Sequence, residues 1–219
     1  MAAYGEPLGD RKDLRPRPSR QPTPSTFGML GRLRGKAMVR ATLFALGSIG
    51  ITWLSRRSLL HPTSHGFPRL FAFEAILALF LLNAPYWFVR PLGTQQLISW
   101  FLLVVSAVLV VWGVILLRGL ERARPAADGA PLFEWENTAS LVTSGIYRYI
   151  RHPMYSSLLF LAWGTALKSV STTGVALAAI ATVAVAVTAR VEESENVARF
   201  GHEYRVYMKR SRRFVPFVV

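Results

Sequence analysis

The chain has 219 residues, of which 52% are hydrophobic and 17% charged, where an average soluble domain has roughly a quarter charged. With a mean hydropathy of +0.31, this excludes an ordinary water-soluble globule and points to a membrane protein. Lys and Arg number 26 against 12 acids, a formal net charge of +14. Such an excess suits nucleic-acid binding, but here the cations lie between long apolar runs, as cytoplasm-facing charge does in membrane proteins, so no nucleic-acid partner is expected. The absence of Cys excludes thiol catalysis, Cys-ligated metal and disulfides.

Residues 1–36 are rich in Pro, Arg, Gly and Ser, with RPRPSR from Arg15 to Arg20 followed by QPTPST, and have no apolar periodicity. They are expected to be a disordered basic tail, too long and polar a leader for a signal peptide. The apolar run at 37–54 is interrupted by Arg40 and is short for a helix that must cross roughly 30 Å of hydrocarbon. The run at 70–89 is long enough but holds Glu74, Asn83 and Pro85, which are costly against lipid and are expected to face other helices. The run at 97–117 is the clearest spanning helix, with Ser99 and Ser106 as its polar side chains apart from Trp100 and Trp112. A polar connection at 118–153 follows. Two further apolar stretches, 154–167 and 170–189, are separated by Lys168 and Ser169, which leaves room for nothing but a tight helical hairpin. From 190 to 219 the chain is highly charged, with Val197, Phe200, Tyr204, Val206 and Tyr207 at roughly helical spacing, and reads as an amphipathic helix lying on the membrane face.

The fold class expected is therefore all-α: a polytopic membrane protein with about five transmembrane helices, including a C-terminal helical hairpin, plus an amphipathic C-terminal helix. Its domain would occupy residues 37–219. The hairpin forces 118–153 and the C-terminal segment onto one side, together with the loop at 55–69. These regions hold five, seven and three basic residues, so that side is expected to be cytoplasmic.

Polar groups gather just before the hairpin, in SGIYRYIRHPMY from Ser144 to Tyr155, and just after it, in ARVEESENVARFGHEYRVYMKR from Ala189 to Arg210. A hairpin brings its ends together, so these clusters are expected to meet in one site. In this region the sequence resembles the isoprenylcysteine carboxyl methyltransferase and phospholipid methyltransferase family of integral membrane enzymes. The resemblance rests on Gly145, Tyr147, Arg151, His152, Pro153 and Tyr155, then Gly164, then Glu192, Glu193, Phe200, Gly201, Tyr204, Tyr207 and Pro216. It covers about residues 97–219.

The resemblance implies a methyltransferase that takes its methyl group from S-adenosylmethionine and passes it to a membrane-embedded or lipophilic acceptor by carboxyl O-, N- or S-methylation. The alternative is a non-catalytic transporter component or scaffold that keeps the fold. The donor carries a carboxylate and an ammonium, which call for a cation or hydrogen-bond donor and for a carboxylate. By resemblance, cofactor contacts fall within about 137–219: Ala139, Ser140, Leu141, Val142, Tyr147, Arg151, His152, Pro153, Met154, Tyr155, Glu192 and Glu193. By the same resemblance Arg190 would be the substrate-orienting cation, although it lies closer to the glutamates than the family spacing, and Asn196 stands where a leucine is usual. No G-x-G-x-x-G follows a strand-like segment, so a soluble dinucleotide-type fold is not supported.

Plainer readings stand beside these. Glu192 and Glu193 suit the first turn of a helix, and His152 suits a helix start before Pro153. Phe200, Tyr204 and Tyr207 suit interfacial anchors. The cations from Arg205 to Arg213 suit anionic lipid headgroups. His61 and His65 have the spacing of a metal pair, yet Pro62 and Gly66 argue against a helix there, and no metal is assigned.

Overall fold

A computed structural model describes residues 26–121 and 141–216 and divides near Met38 into two units, the second of which, Val39–Val219, holds the elements discussed below apart from the start of α1. Among the described residues seven α-helices follow in order: α1 (Thr26–Leu54), α2 (Arg56–Leu59), α3 (Gly66–Asn83), α4 (Thr94–Glu121), α5 (Pro153–Ala166), α6 (Thr172–Phe200) and α7 (His202–Arg210). Four of them are long and apolar enough to cross a membrane: Leu33–Leu54 of α1, the stretch Gly66–Tyr86, Thr94–Leu116 of α4, and α6. The protein is an all-α polytopic membrane protein. Of the tail expected at 1–36, residues 1–25 lie outside the described residues, and the helix already begins at Thr26.

The hairpin forms as expected, but its arms are unequal. α5 has 14 residues, about 21 Å at 1.5 Å per residue, whereas α6 has 29. Ser171 starts α6 by accepting a hydrogen bond from the backbone N–H of Gly174 at 3.1 Å, which satisfies an otherwise orphaned donor of the first turn.

α5 runs antiparallel to α4 along small residues seven apart. Gly113 lies against Met154, where a Cβ would come within 3.1 Å of the side chain. The Ser106 hydroxyl donates to the Ser157 carbonyl at 2.7 Å, and the Ser99 hydroxyl to the Gly164 carbonyl at 2.6 Å. Small residues let backbones approach, and the two hydroxyls hydrogen-bond across the seam where lipid offers no partner. The ladder ends at the hairpin turn. There Lys168, 2% exposed, places Nζ 3.1 Å from Gln96 Oε1 and 3.3 Å from the Trp100 ring centroid. Gln96 Nε2 donates back to the Lys168 carbonyl at 3.0 Å. A cation over an indole face in a desolvated site gains on the order of 2 kcal/mol, which helps to fix the turn.

α3 packs on α5 and α6 through alanines: Ala75 and Leu79 join Ala162, Ala166, Ala178 and Ala181 in one buried cluster, and Ala72 joins Val185 and Ala189 in another. Asn83, 1% exposed, sits at the end of this seam. Glu74 accepts a hydrogen bond from Ser48 Oγ at 2.5 Å, which joins α3 to α1 as interhelical glue.

The C-terminal segment differs from the single amphipathic helix expected over 190–219. α6 continues beyond Ala189 to Phe200, because nothing between Arg190 and Phe200 breaks a helix. It ends where Gly201 takes a φ of +57° that disfavours any residue with a Cβ. Glu192 and Glu193 therefore lie in the last third of a long helix, and the first-turn reading of these acids is overturned. α7 is short and turns Tyr204 and Tyr207 inward.

Candidate active site

The chain between the polar connection and α5 makes a tight 3₁₀ turn at Gly145–Arg148. Gly145 adopts a φ of +59°, which favours glycine, and a Cβ there would also push the Leu116 side chain aside. The turn buries Ile146, Tyr147 and Ile150 against Leu109, with Val142 and Met154 packed beside them. His152 then takes the N-cap position of α5, without a side-chain capping bond, and Pro153 stands in the first turn, as the sequence suggested.

After α7 the chain returns beside this segment. The Arg151 N–H donates to the Arg212 carbonyl at 2.7 Å, the His152 N–H to the Arg213 carbonyl at 3.1 Å, and the Arg212 N–H to the Tyr149 carbonyl at 2.9 Å. Ser156 Oγ donates to the Phe214 carbonyl at 2.6 Å, and the Tyr207 hydroxyl to the Tyr147 carbonyl at 2.6 Å. Tyr204 and Tyr207 are 2% and 7% exposed, so they are packed between α7 and its neighbours and are not the interfacial anchors expected. Burial pushes the Tyr207 phenol up to about 12 and the Tyr204 phenol upward as well. Both remain protonated donors at neutral pH.

Glu193 of α6 ties these strands of chain together. Its Oε1 accepts from Arg151 Nε at 2.8 Å and from Arg213 Nε at 3.1 Å, and its Oε2 accepts from Arg213 Nη2 at 2.5 Å. The Arg151 guanidinium also donates to the carbonyls of Met208 at 3.0 Å and Ser211 at 2.5 Å. The Glu193 contact holds Arg213 above its ordinary pKa. Glu193 and Arg151 are thus already engaged with each other and with the returning chain.

His152, 5% exposed, stands between the two glutamates. Nε2 is 3.5 Å from Glu193 Oε1 and Nδ1 is 3.8 Å from Glu192 Oε2, both too long for good hydrogen bonds. Nε2 is buried and unpaired among the described residues. Tyr155 stacks on the ring at 5.3 Å between centroids. Glu192 is partly exposed, with 28% of its side-chain surface open, and so turns a carboxylate outward beside a buried imidazole.

The structure brings together Arg151, His152, Pro153, Tyr155, Glu192 and Glu193, whereas Tyr147, Val142 and Met154 pack in a neighbouring cluster with Leu109 of α4. Leu141 is half-buried at the edge of the described chain, and Ala139 and Ser140 lie outside the described residues. Arg190 is exposed on α6 and enters none of these contacts.

The sequence did not signal the contacts of Arg213, Asn196, His65 and Glu195. Arg213 clamps Glu193 instead of meeting lipid. Asn196, flagged as a departure from the family pattern, is hydrogen-bonded to Tyr204. His65 pairs with Glu195: Nδ1 lies 2.6 Å from Oε2 and the His65 N–H donates to Oε1 at 3.0 Å. Only the histidine spacing drew attention to it, and that suggested His61, whose own Nδ1 faces the Arg57 carbonyl at 3.2 Å.

Comparison with known proteins points to the same region. The phospholipid methyltransferase family matches residues 127–203. The chain is also similar to the methanethiol S-methyltransferase of Crocosphaera subtropica, 29% identical over 76 residues, which covers 35% of this chain and 29% of that protein. No solved structure matches it. The motif residues on either side of the hairpin thus gather at one end of the helices, and the stretch 127–203 that includes most of them is similar to the phospholipid methyltransferase family.

Proposed function

We propose that this protein is an S-adenosylmethionine-dependent methyltransferase that receives its donor from the cytoplasm and a lipophilic acceptor from the bilayer. The observation that carries this reading is the position of His152, 3.8 Å from Glu192 and 3.5 Å from Glu193, across about forty residues of intervening hairpin. The residues present fit the donor. The buried, unpaired His152 Nε2 is a polar atom in want of a partner. Glu192 presents a carboxylate to an ammonium, and Tyr155 offers an aromatic face, to which cations are attracted.

When bound, the donor supplies an activated methyl group for in-line displacement. The protein's part is to align, to exclude water and to hold charge. Glu192 and His152 bind the methionine end of the donor. Arg151 and Glu193 hold the framework: they fix the returning chain against the His152 segment and so set the ring where Glu192 can meet it. Arg190, exposed two residues before Glu192, is assigned to an acidic part of the acceptor's headgroup. The basic side chains around α7 face anionic lipid at the cytoplasmic surface.

Incubating membranes that contain the protein with radiolabelled S-adenosylmethionine, and identifying the labelled product, tests the reading. A labelled lipophilic product that disappears with His152→Ala supports it. No label above empty membranes overturns it in favour of a non-catalytic scaffold or transporter component.

A further inference from the structure

His65 lies at the start of α3, outside the matched residues 127–203, and the catalytic reading has not used it. Glu195 grips it twice, through the backbone N–H at 3.0 Å and through Nδ1 at 2.6 Å. A carboxylate on one ring nitrogen fixes the orientation of the imidazole and keeps the proton on that nitrogen, which leaves the other as a proton acceptor. The side chain keeps 20% of its surface open. Glu195 is one turn after Glu192 on α6, and Glu192 acts electrostatically on His65 while standing 3.8 Å from His152 Nδ1. The dyad is therefore adjacent to the proposed donor site. The charged groups acting on it are Glu192 and Glu195 from α6 and Arg69 from α3.

We propose that His65, oriented by Glu195, is the general base that removes a proton from the acceptor's nucleophilic atom, and that the acceptor is a thiol or an ammonium. The inference rests on the methyl-transfer reading above. A carboxylate acceptor needs no base and would approach two carboxylates, Glu192 and Glu195, of its own sign. A thiol or ammonium must lose a proton before it can attack. That proton passes to His65 Nε2. The electron pair it leaves forms the bond to the methyl carbon, the methyl–sulfonium bond breaks with its pair remaining on sulfur, and the imidazolium then releases its proton to water. Desolvation pulls the His65 pKa down, but the hydrogen bond to Glu195 and the charges of Glu192 and Glu195 together outweigh it and raise it, which agrees with a base that works near neutral pH.

The test compares full-length wild type with His65→Gln, which keeps a hydrogen-bond donor toward Glu195 but cannot accept the proton. Three probes serve as acceptors: 1-propanethiol, phosphatidylethanolamine vesicles, and an S-farnesylcysteine carboxylate. Methyl transfer to the thiol or the amine by wild type should rise with pH along one limb. His65→Gln should lose that limb and on the order of 10²- to 10⁴-fold in rate at alkaline pH, while S-adenosylmethionine binding by calorimetry stays within about threefold. Nitrogen-15 NMR of histidine-labelled wild type should place the neutral proton of His65 on Nδ1. Thiol and amine arms separate the two acceptor sources.

The proposal is overturned if His65→Gln retains its rate and pH profile, if the carboxylate is the probe methylated, or if the neutral proton sits on Nε2. Should His65→Gln not fold, the wild-type tautomer alone decides. Wild type that binds no S-adenosylmethionine and methylates no probe removes the methyltransferase reading and this inference with it, whereas a working wild type with an indifferent variant removes only the dyad.

Discussion

Arg151 and Glu193, 42 residues apart in the chain, meet through Nε and Oε1 at 2.8 Å, with 9% and 6% of their side chains exposed. Because Arg151 also donates to the carbonyls of Met208 and Ser211, the pair fastens three segments around one buried carboxylate. Removing one member of a buried pair leaves the other charged and desolvated, at a cost of about 3–5 kcal/mol. Glu193→Ala should accordingly lower Tm sharply in detergent. Arg213→Ala should cost less, since Arg213 is 25% exposed and its removal leaves Glu193 still paired with Arg151.

Gly145 is held at positive φ against Leu116. Gly145→Ala should destabilise by about 1–3 kcal/mol and loosen the turn that carries Tyr147. Gly50→Ala, in open space on α1, serves as the control and should be neutral or slightly stabilising, since alanine favours a helix by roughly 1 kcal/mol over glycine. Thermal melts of the two variants side by side check both.

The His65–Glu195 pair predicts a pH dependence of stability. Desolvation lowers the His65 pKa, but the hydrogen bond to Glu195 and the charges of Glu192 and Glu195 together more than offset it, and the folded-state value lies above the ordinary one. A group whose pKa rises on folding stabilises fully below its unfolded value and loses that contribution as the pH climbs through the raised one. The Tm gap between wild type and His65→Asn should be widest in mildly acidic buffer and close as the pH passes above the folded-state pKa. A gap that widens toward alkaline pH would contradict the pairing.

Much of this architecture was legible along the chain because membrane helices announce themselves by length and hydropathy. The stretches expected at 154–167 and 170–189 became α5 and the first part of α6, and Ser99 and Ser106, the lone hydroxyls of a lipid-facing sequence, turned out to face α5. The end of α6 was misread because a change from apolar to charged composition marks the membrane surface and not a helix end; the stop is Gly201, eleven residues past Arg190. The meeting of the two motif clusters followed from hairpin topology. What each residue does within the cluster did not. Glu192 and Glu193 are neighbours in sequence, yet α-helical geometry turns one outward and buries the other between two arginines. The contact of His65 with Glu195, across 130 residues, has no local signature at all.

The account depends most on Glu192 and His152 forming one binding face for the donor, and isothermal calorimetry of the purified protein with S-adenosylmethionine measures this directly. Loss of a charged hydrogen-bond partner costs about 1.5–3 kcal/mol, so Glu192→Gln should bind roughly 10- to 100-fold more weakly with Tm unchanged, and His152→Ala should also bind more weakly. Equal affinity in wild type and both variants would contradict it.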